Sequence, residues 1–108
     1  MELQRLRAFR EVARELSFTR AAQNLHYSQP SVTAQIKSLE ETVGAPLFVR
    51  RGNRSVELTP AGARLLPYAD RILELVEAAQ LEIHLEIHSE LPTGLHGAAA
   101  NSRLLTRH

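Results

Sequence analysis

Three groups of side chains in this 108-residue chain have types and spacings that point to chemistry, and in each case the chemistry is recognition by hydrogen bonds and charge. The first runs from Gln29 to Lys37. With Val32 at the origin and about 100° per residue, Ile36, Leu39 and Val43 fall within about 40° of it. Gln29, Pro30, Thr33, Ala34, Lys37 and Glu41 then occupy the opposite arc, with Ser31 at its edge. A carboxamide such as Gln29 can pair with the edge of adenine. Thr33 offers a hydroxyl and a methyl that suit thymine, and Lys37 suits a guanine or a phosphate. Thr33 and Ala34 can also make apolar contacts with thymine methyls. The second group is Arg50, Arg51 and Arg54, clustered around Gly52 and Asn53, whose guanidiniums suit phosphates and a narrow minor groove. The third is Ser17, Thr19 and Arg20 at a helix start, where free N–H groups attract anions; plain capping and solvation explain these residues equally well.

These groups need elements to hold them. Phe18, Ala21, Ala22 and Leu25 recur at helical spacing, and Val32, Ile36, Leu39 and Val43 repeat the pattern one helix later. Between the two, Ser28 precedes Gln29 and Pro30 and is the expected N-cap, since the first turn of a helix has unpaired N–H groups and tolerates proline. Ala21 and Ala22 allow close approach, so the spacing predicts a helix-turn-helix. His26 and Tyr27 fall in the turn, with their rings expected to be partly buried. Upstream, Leu3, Leu6, Phe9, Val12, Ala13 and Leu16 form the core face of a first helix whose charges are read as a solvated surface.

Gly44 supplies a left-handed cap and Pro46 blocks resumption of the helix. Leu47 to Arg51 and Ser55 to Leu58 read as two short strands, with Val56 and Leu58 facing inward, and their tip carries the arginine cluster as a wing. Thr59 and Pro60 open a long helix. Along it Leu65, Ala69, Ile72, Val76, Ala79 and Ile83 step by four and three, a coiled-coil seam. Leu66, Tyr68 and Leu73 widen the apolar surface beyond what a small wing can cover, which calls for a partner. Pro67 is expected to kink this helix slightly. The four-residue repeat LEIHLEIH follows, then a Pro- and Gly-containing stretch expected to be flexible. His84 and His88 share a helix face at a spacing known from metal sites. Only glutamates and the distant His96 could complete a ligand set, so no metal is assigned.

Composition limits the alternatives. At this length the chain is one domain with an appendage. There is no cysteine, which removes disulfides, zinc-finger chemistry and thiolate nucleophiles. No apolar run reaches the roughly 18 residues that span a bilayer, and no signal peptide is visible at the start. The net charge of +1 is unevenly spread. Residues 1–60 hold nine Lys/Arg against six Asp/Glu, or +3, and residues 61–108 hold four against six, or −2. Basicity therefore lies with the half of the chain that contains the helix pair and the wing. No glycine-rich phosphate loop or Ser/His/Asp arrangement suggests an enzyme.

The ordered set SFTRAAQNLHYSQPSVTAQIKSLEE, LFVR and LTPAG, preceded by an amphipathic helix, resembles the DNA-binding domain of LysR-type transcriptional regulators from Leu3 to about Ala79. The resemblance implies a mainly α fold: a winged helix-turn-helix with a short two-stranded wing over 1–58, a long linker and dimerisation helix over 59–90, and a tail over 91–108. It implies a sequence-specific regulator of transcription that lacks its effector-binding domain and works in the cytoplasm. Such a protein binds double-stranded DNA at an interrupted palindrome as a homodimer, with room for higher oligomers. Gln29, Pro30, Ser31, Thr33 and Ala34 would read bases. Ser17, Thr19, Arg20, Lys37, Arg50, Arg51 and Arg54 would hold the backbone or minor groove, and Leu65, Ala69, Ile72, Val76 and Ala79 would form the dimer seam. Ala34 departs from the family, where arginine is frequent, and removes one long cation from the reading helix. No cofactor, metal, membrane or small-molecule co-inducer site is expected. The alternative is a truncated interaction module that draws full-length relatives into inactive mixed dimers.

Overall fold

A computed structural model describes residues 1–52 and 55–89. Arg54 and the expected tail over 91–108 therefore lie outside the described residues. The elements follow in the order α1 (Leu3–Glu15), α2 (Phe18–Leu25), α3 (Gln29–Val43), β1 (Phe48–Arg51), β2 (Ser55–Leu58) and α4 (Pro60–Ser89). The fold is mainly α, with an antiparallel two-stranded wing and a long C-terminal helix. Two compact units divide the chain after Leu73, so the first extends beyond Leu58, where the sequence places a boundary.

Helix α1 buries Leu6, Ala8, Phe9 and Val12. The ends of its expected core face turn out differently. Leu3 is 38% exposed, Ala13 is half-buried, and Leu16 lies outside the helix as a left-handed cap (φ 52°) that donates its N–H to the Val12 carbonyl. A chain leaving a helix through the left-handed region turns sharply, which is how α2 starts two residues later. There Ser17 accepts the Arg20 N–H at 3.1 Å as the N-cap. Ala21 and Ala22 are buried and let α2 sit close to its neighbours. Asn24 clamps α2 to α1, donating from Nδ2 to Glu11 and Glu15, each at 2.8 Å. His26, again left-handed (φ 61°), ends α2 and is exposed, contrary to the expected burial of its ring. Tyr27 is 39% exposed, and its hydroxyl accepts a hydrogen bond from Gln4 Nε2 at 2.7 Å.

Helix α3 is bounded as its sequence predicts. The Ser28 hydroxyl oxygen accepts the Ser31 N–H at 3.2 Å, and Gly44 is left-handed with its N–H on the Glu40 carbonyl. Val32, Ile36 and Leu39 are buried. The strands pair Phe48 with Leu58 and Arg50 with Val56. The Phe48 ring stands 5.4 Å from that of Phe9 and 5.9 Å from that of Phe18, which roots the wing on α1 and α2.

Leu47 joins these parts. It is 1% exposed, and its N–H donates to Glu40 Oε2 at 2.7 Å while its carbonyl accepts the Thr59 N–H at 3.0 Å. Thr59 caps α4 by accepting the Gly62 N–H at 3.0 Å, and its hydroxyl donates to the Pro46 carbonyl at 2.6 Å. Gly62 lets α4 pass directly over this junction: a Cβ there would collide with the Leu47 carbonyl and come within 2.8 Å of the Leu58 side chain. Helix α4 continues through Pro67.

One residue of the expected dimer seam, Ala69, is turned inward. Ala69 and Leu73 are completely buried in the protomer's own core, and Leu65, Leu66 and Ile72 pack against that core from partly buried positions. The side of α4 that remains open carries Tyr68 and Leu75, 68% and 58% exposed. These residues are seven apart and therefore nearly in line on a helix. Tyr68 and Leu75 each lie one position before a residue of the expected seam, Ala79 is exposed, and Leu65 and Ile72 are half-buried beside them.

Gly62→Ala tests the junction. Helix propensity alone would favour alanine by about 1 kcal/mol. The collision with the Leu47 backbone should reverse that sign and destabilise the domain by about 1–3 kcal/mol, read as an earlier midpoint in urea. A later midpoint would show that α4 does not need this close approach.

Candidate nucleic-acid interface

Alternation along the wing sends its two described arginines to opposite faces. Phe48, Arg50, Val56 and Leu58 share the face turned to the core, because Arg50 stands opposite the buried Val56. Val49, Arg51, Ser55 and Glu57 share the outer face. Arg51 Nε accordingly lies 3.3 Å from Glu57 Oε1, a diagonal pair in which both side chains remain more than half exposed. Such an exposed pair contributes little to stability but draws the cation along the strand. Arg50 leans inward and places its guanidinium carbon 5.0 Å from the centre of the Phe18 ring.

This inward lean brings the wing to the helix-turn-helix. A cleft of about 830 Å3 is lined by Ser17, Thr19, Arg20, Gln23, Gln29 and Arg50, so the start of α2, the start of α3 and β1 share one concave surface. A smaller one, about 170 Å3, brings Thr33 and Lys37 together with Phe18, Glu40, Phe48 and Arg50. Arg50 therefore borders both clefts. Glu40 is the opposing charge in the smaller one, and its Oε2 accepts the Leu47 N–H. Three cations against one carboxylate that is engaged with backbone suit an anionic polymer lying along this surface.

Of the residues proposed from sequence to read bases, Gln29, Pro30 and Ala34 are exposed on α3, and Ser31 and Thr33 are half-buried. Gln29 and Thr33 line the clefts; Pro30, Ser31 and Ala34 do not. Of the backbone-holding set, Ser17, Thr19, Arg20, Lys37 and Arg50 are brought together, while Arg51 diverges to Glu57. Gln23 and Phe18 were missed as contributors. Gln23 is four residues beyond Thr19, a helical spacing that could have indicated a shared face. For Phe18 no local signal exists, since its ring meets Arg50 only through the tertiary fold.

His84 and His88 hold their rings 4.1 Å apart. Among the described residues no group of three or more His, Cys, Asp or Glu could hold a metal ion. No described helix is long and apolar enough to cross a membrane.

Comparison with known proteins agrees with this geometry. Residues 3–63 match the model of the bacterial regulatory helix-turn-helix protein, lysR family. The Hca operon transcriptional activator HcaR of Escherichia coli K12 is 54% identical over 81 residues, which cover 75% of this chain and 27% of HcaR. The transcriptional regulator BudR of Klebsiella aerogenes is 52% identical over 97 residues, covering 90% of this chain and 64% of BudR. The chain thus spans less than two thirds of the length of either relative. Among solved structures, the DNA-binding domain of CbnR in complex with DNA superposes with a TM-score of 0.72 at 39% identity, over 78% of this chain and 95% of that one. A winged helix-turn-helix with this cleft, and a family match over more than half its length, place the chain in the LysR family of bacterial helix-turn-helix regulatory proteins.

Proposed function

We propose that this chain reads double-stranded DNA in the cytoplasm as a homodimer, each protomer taking one half of an interrupted palindrome. The observation that carries this reading is the continuous surface on which Gln29 and Thr33 of α3 stand beside Arg20, Lys37 and Arg50. Base-reading groups and phosphate-holding cations are adjacent there, which is the division of labour a sequence-specific site requires. The CbnR domain solved with DNA is a relative over nearly its whole length, and it lends support to the same partner.

In this reading α3 enters the major groove by its N-terminal end. Gln29 pairs with adenine, Thr33 meets thymine, Ser31 offers its hydroxyl to a base edge, and Pro30 and Ala34 set the apolar contour of the contact. Ser17, Thr19 and Arg20 take phosphate on one side and the wing, with Arg50, Arg51 and Arg54, takes the backbone or minor groove on the other. The side of α4 that carries the exposed Tyr68, Leu75 and Ala79, with the half-buried Leu65 and Ile72 beside them, pairs with that of a second copy. A two-fold axis between protomers then demands two-fold symmetry in the operator.

Two measurements test this. Gln29→Ala should cost about 1–3 kcal/mol per half-site and flatten preference at one operator position, with the salt dependence unchanged. Arg20→Ala should weaken binding to all sequences alike, and the slope of log affinity against log salt should fall by about one. If Gln29→Ala leaves the preference intact while Arg20→Ala removes it, base reading does not reside in α3.

Assembly is tested separately at Leu75, whose exposure makes a charge there harmless to an isolated protomer. Sedimentation of the parent chain at micromolar concentration should show a dimer, and Leu75→Glu a monomer, because a partner would bury an unpaired carboxylate. A dimer that survives the substitution would move the pairing surface elsewhere.

A further inference from the structure

Arg50 and Arg51 are neighbours in sequence, and the structure holds them by different means. Glu57 holds Arg51 through opposite charge, which offsets the cation as it positions it. Phe18 holds Arg50 through its ring face, 5.0 Å from the guanidinium carbon. A ring has no net charge, so it orients the planar guanidinium and leaves the full positive charge in place. All five N–H groups of a guanidinium lie in its plane, so a stacked arginine can still present paired donors to a phosphate.

Phe18 itself is firmly placed. It is 8% exposed, the first residue of α2, and its ring meets the Phe48 ring at 5.9 Å with an interplanar angle of 72°. Phe18 also lines both clefts beside Arg50. From this geometry we infer that Phe18 is a positioning residue for DNA binding, a core aromatic whose outer face fixes Arg50 as a phosphate clamp between wing and α3. The inference rests on the proposed DNA reading and adds to it a residue that touches no DNA.

The test is a double-mutant cycle of parent, Phe18→Leu, Arg50→Ala and the double variant, each measured for affinity to the same operator half-site duplex. Phe18→Leu keeps an apolar side chain in the core and removes the ring face. It should weaken binding about two- to five-fold in the parent and have no further effect in the Arg50→Ala background. Arg50→Lys keeps the charge and loses the plane, so its salt slope should match the parent while Phe18→Leu added to it costs less than in the parent. An equal loss from Phe18→Leu with or without Arg50 would make the ring merely structural and overturn the inference, as would no loss at all. A second readout needs no DNA. In the free protein the order parameter of the Arg50 Nε–H should fall on Phe18→Leu, while that of Arg51 stays unchanged. If the parent fails to bind any duplex, the DNA reading fails alone and this relaxation measurement still decides whether the ring holds the arginine.

Discussion

The buried backbone of Leu47 is the constraint on which the rest of this domain depends. A peptide group taken out of water must have both its donor and its acceptor satisfied. Here the donor is taken by a carboxylate from α3 and the acceptor by the residue that caps α4. The end of α3, the entry to the wing and the exit from it are therefore held at one point. Because Gly62 presses against the same carbonyl, the helix that follows has little freedom to lift away. The position of Arg50 relative to Gln29 and Thr33 is inherited from this junction. A wing attached more loosely would give the same residues without a common surface.

Much of the fold was legible because its signals are local. Ser28, Gly44 and Thr59 each act within one turn of their own helix, and a cap is recognisable from residue type and neighbours alone. The strands followed from alternation, and the apolar faces of α2 and α3 from period. Leu16 and His26 were harder, since both adopt the left-handed cap conformation with side chains that ordinarily avoid it.

The phase of α4 could not be read from its sequence, and the reason is physical. Its first turns carry two adjoining apolar stripes, one through Ala69 and Leu73 and one through Tyr68 and Leu75. Hydropathy treats both as buried, and only the packed core distinguishes the stripe that faces the protomer from the one that does not. In the interface, residue types on α3 pointed to recognition, but the partition between Arg50 and Arg51 depends on which face of a two-stranded sheet each occupies. The roles of Glu40, Gly62 and Phe18 arise from contacts across 7 to 32 positions of sequence and leave no local trace.

The burial of Ala69 and Leu73 also separates two kinds of boundary. The match to the lysR-family model ends at residue 63, and the wing is complete at Leu58, yet the core closes only when α4 has made nearly four turns. A chain cut at either earlier point would keep every residue that faces the clefts and lose two fully buried side chains of the core beneath them, Ala69 and Leu73. The first half of the long helix, through Leu73, thus belongs to the same compact unit as the wing and the helix pair, and its inward side chains complete the core that seats the wing.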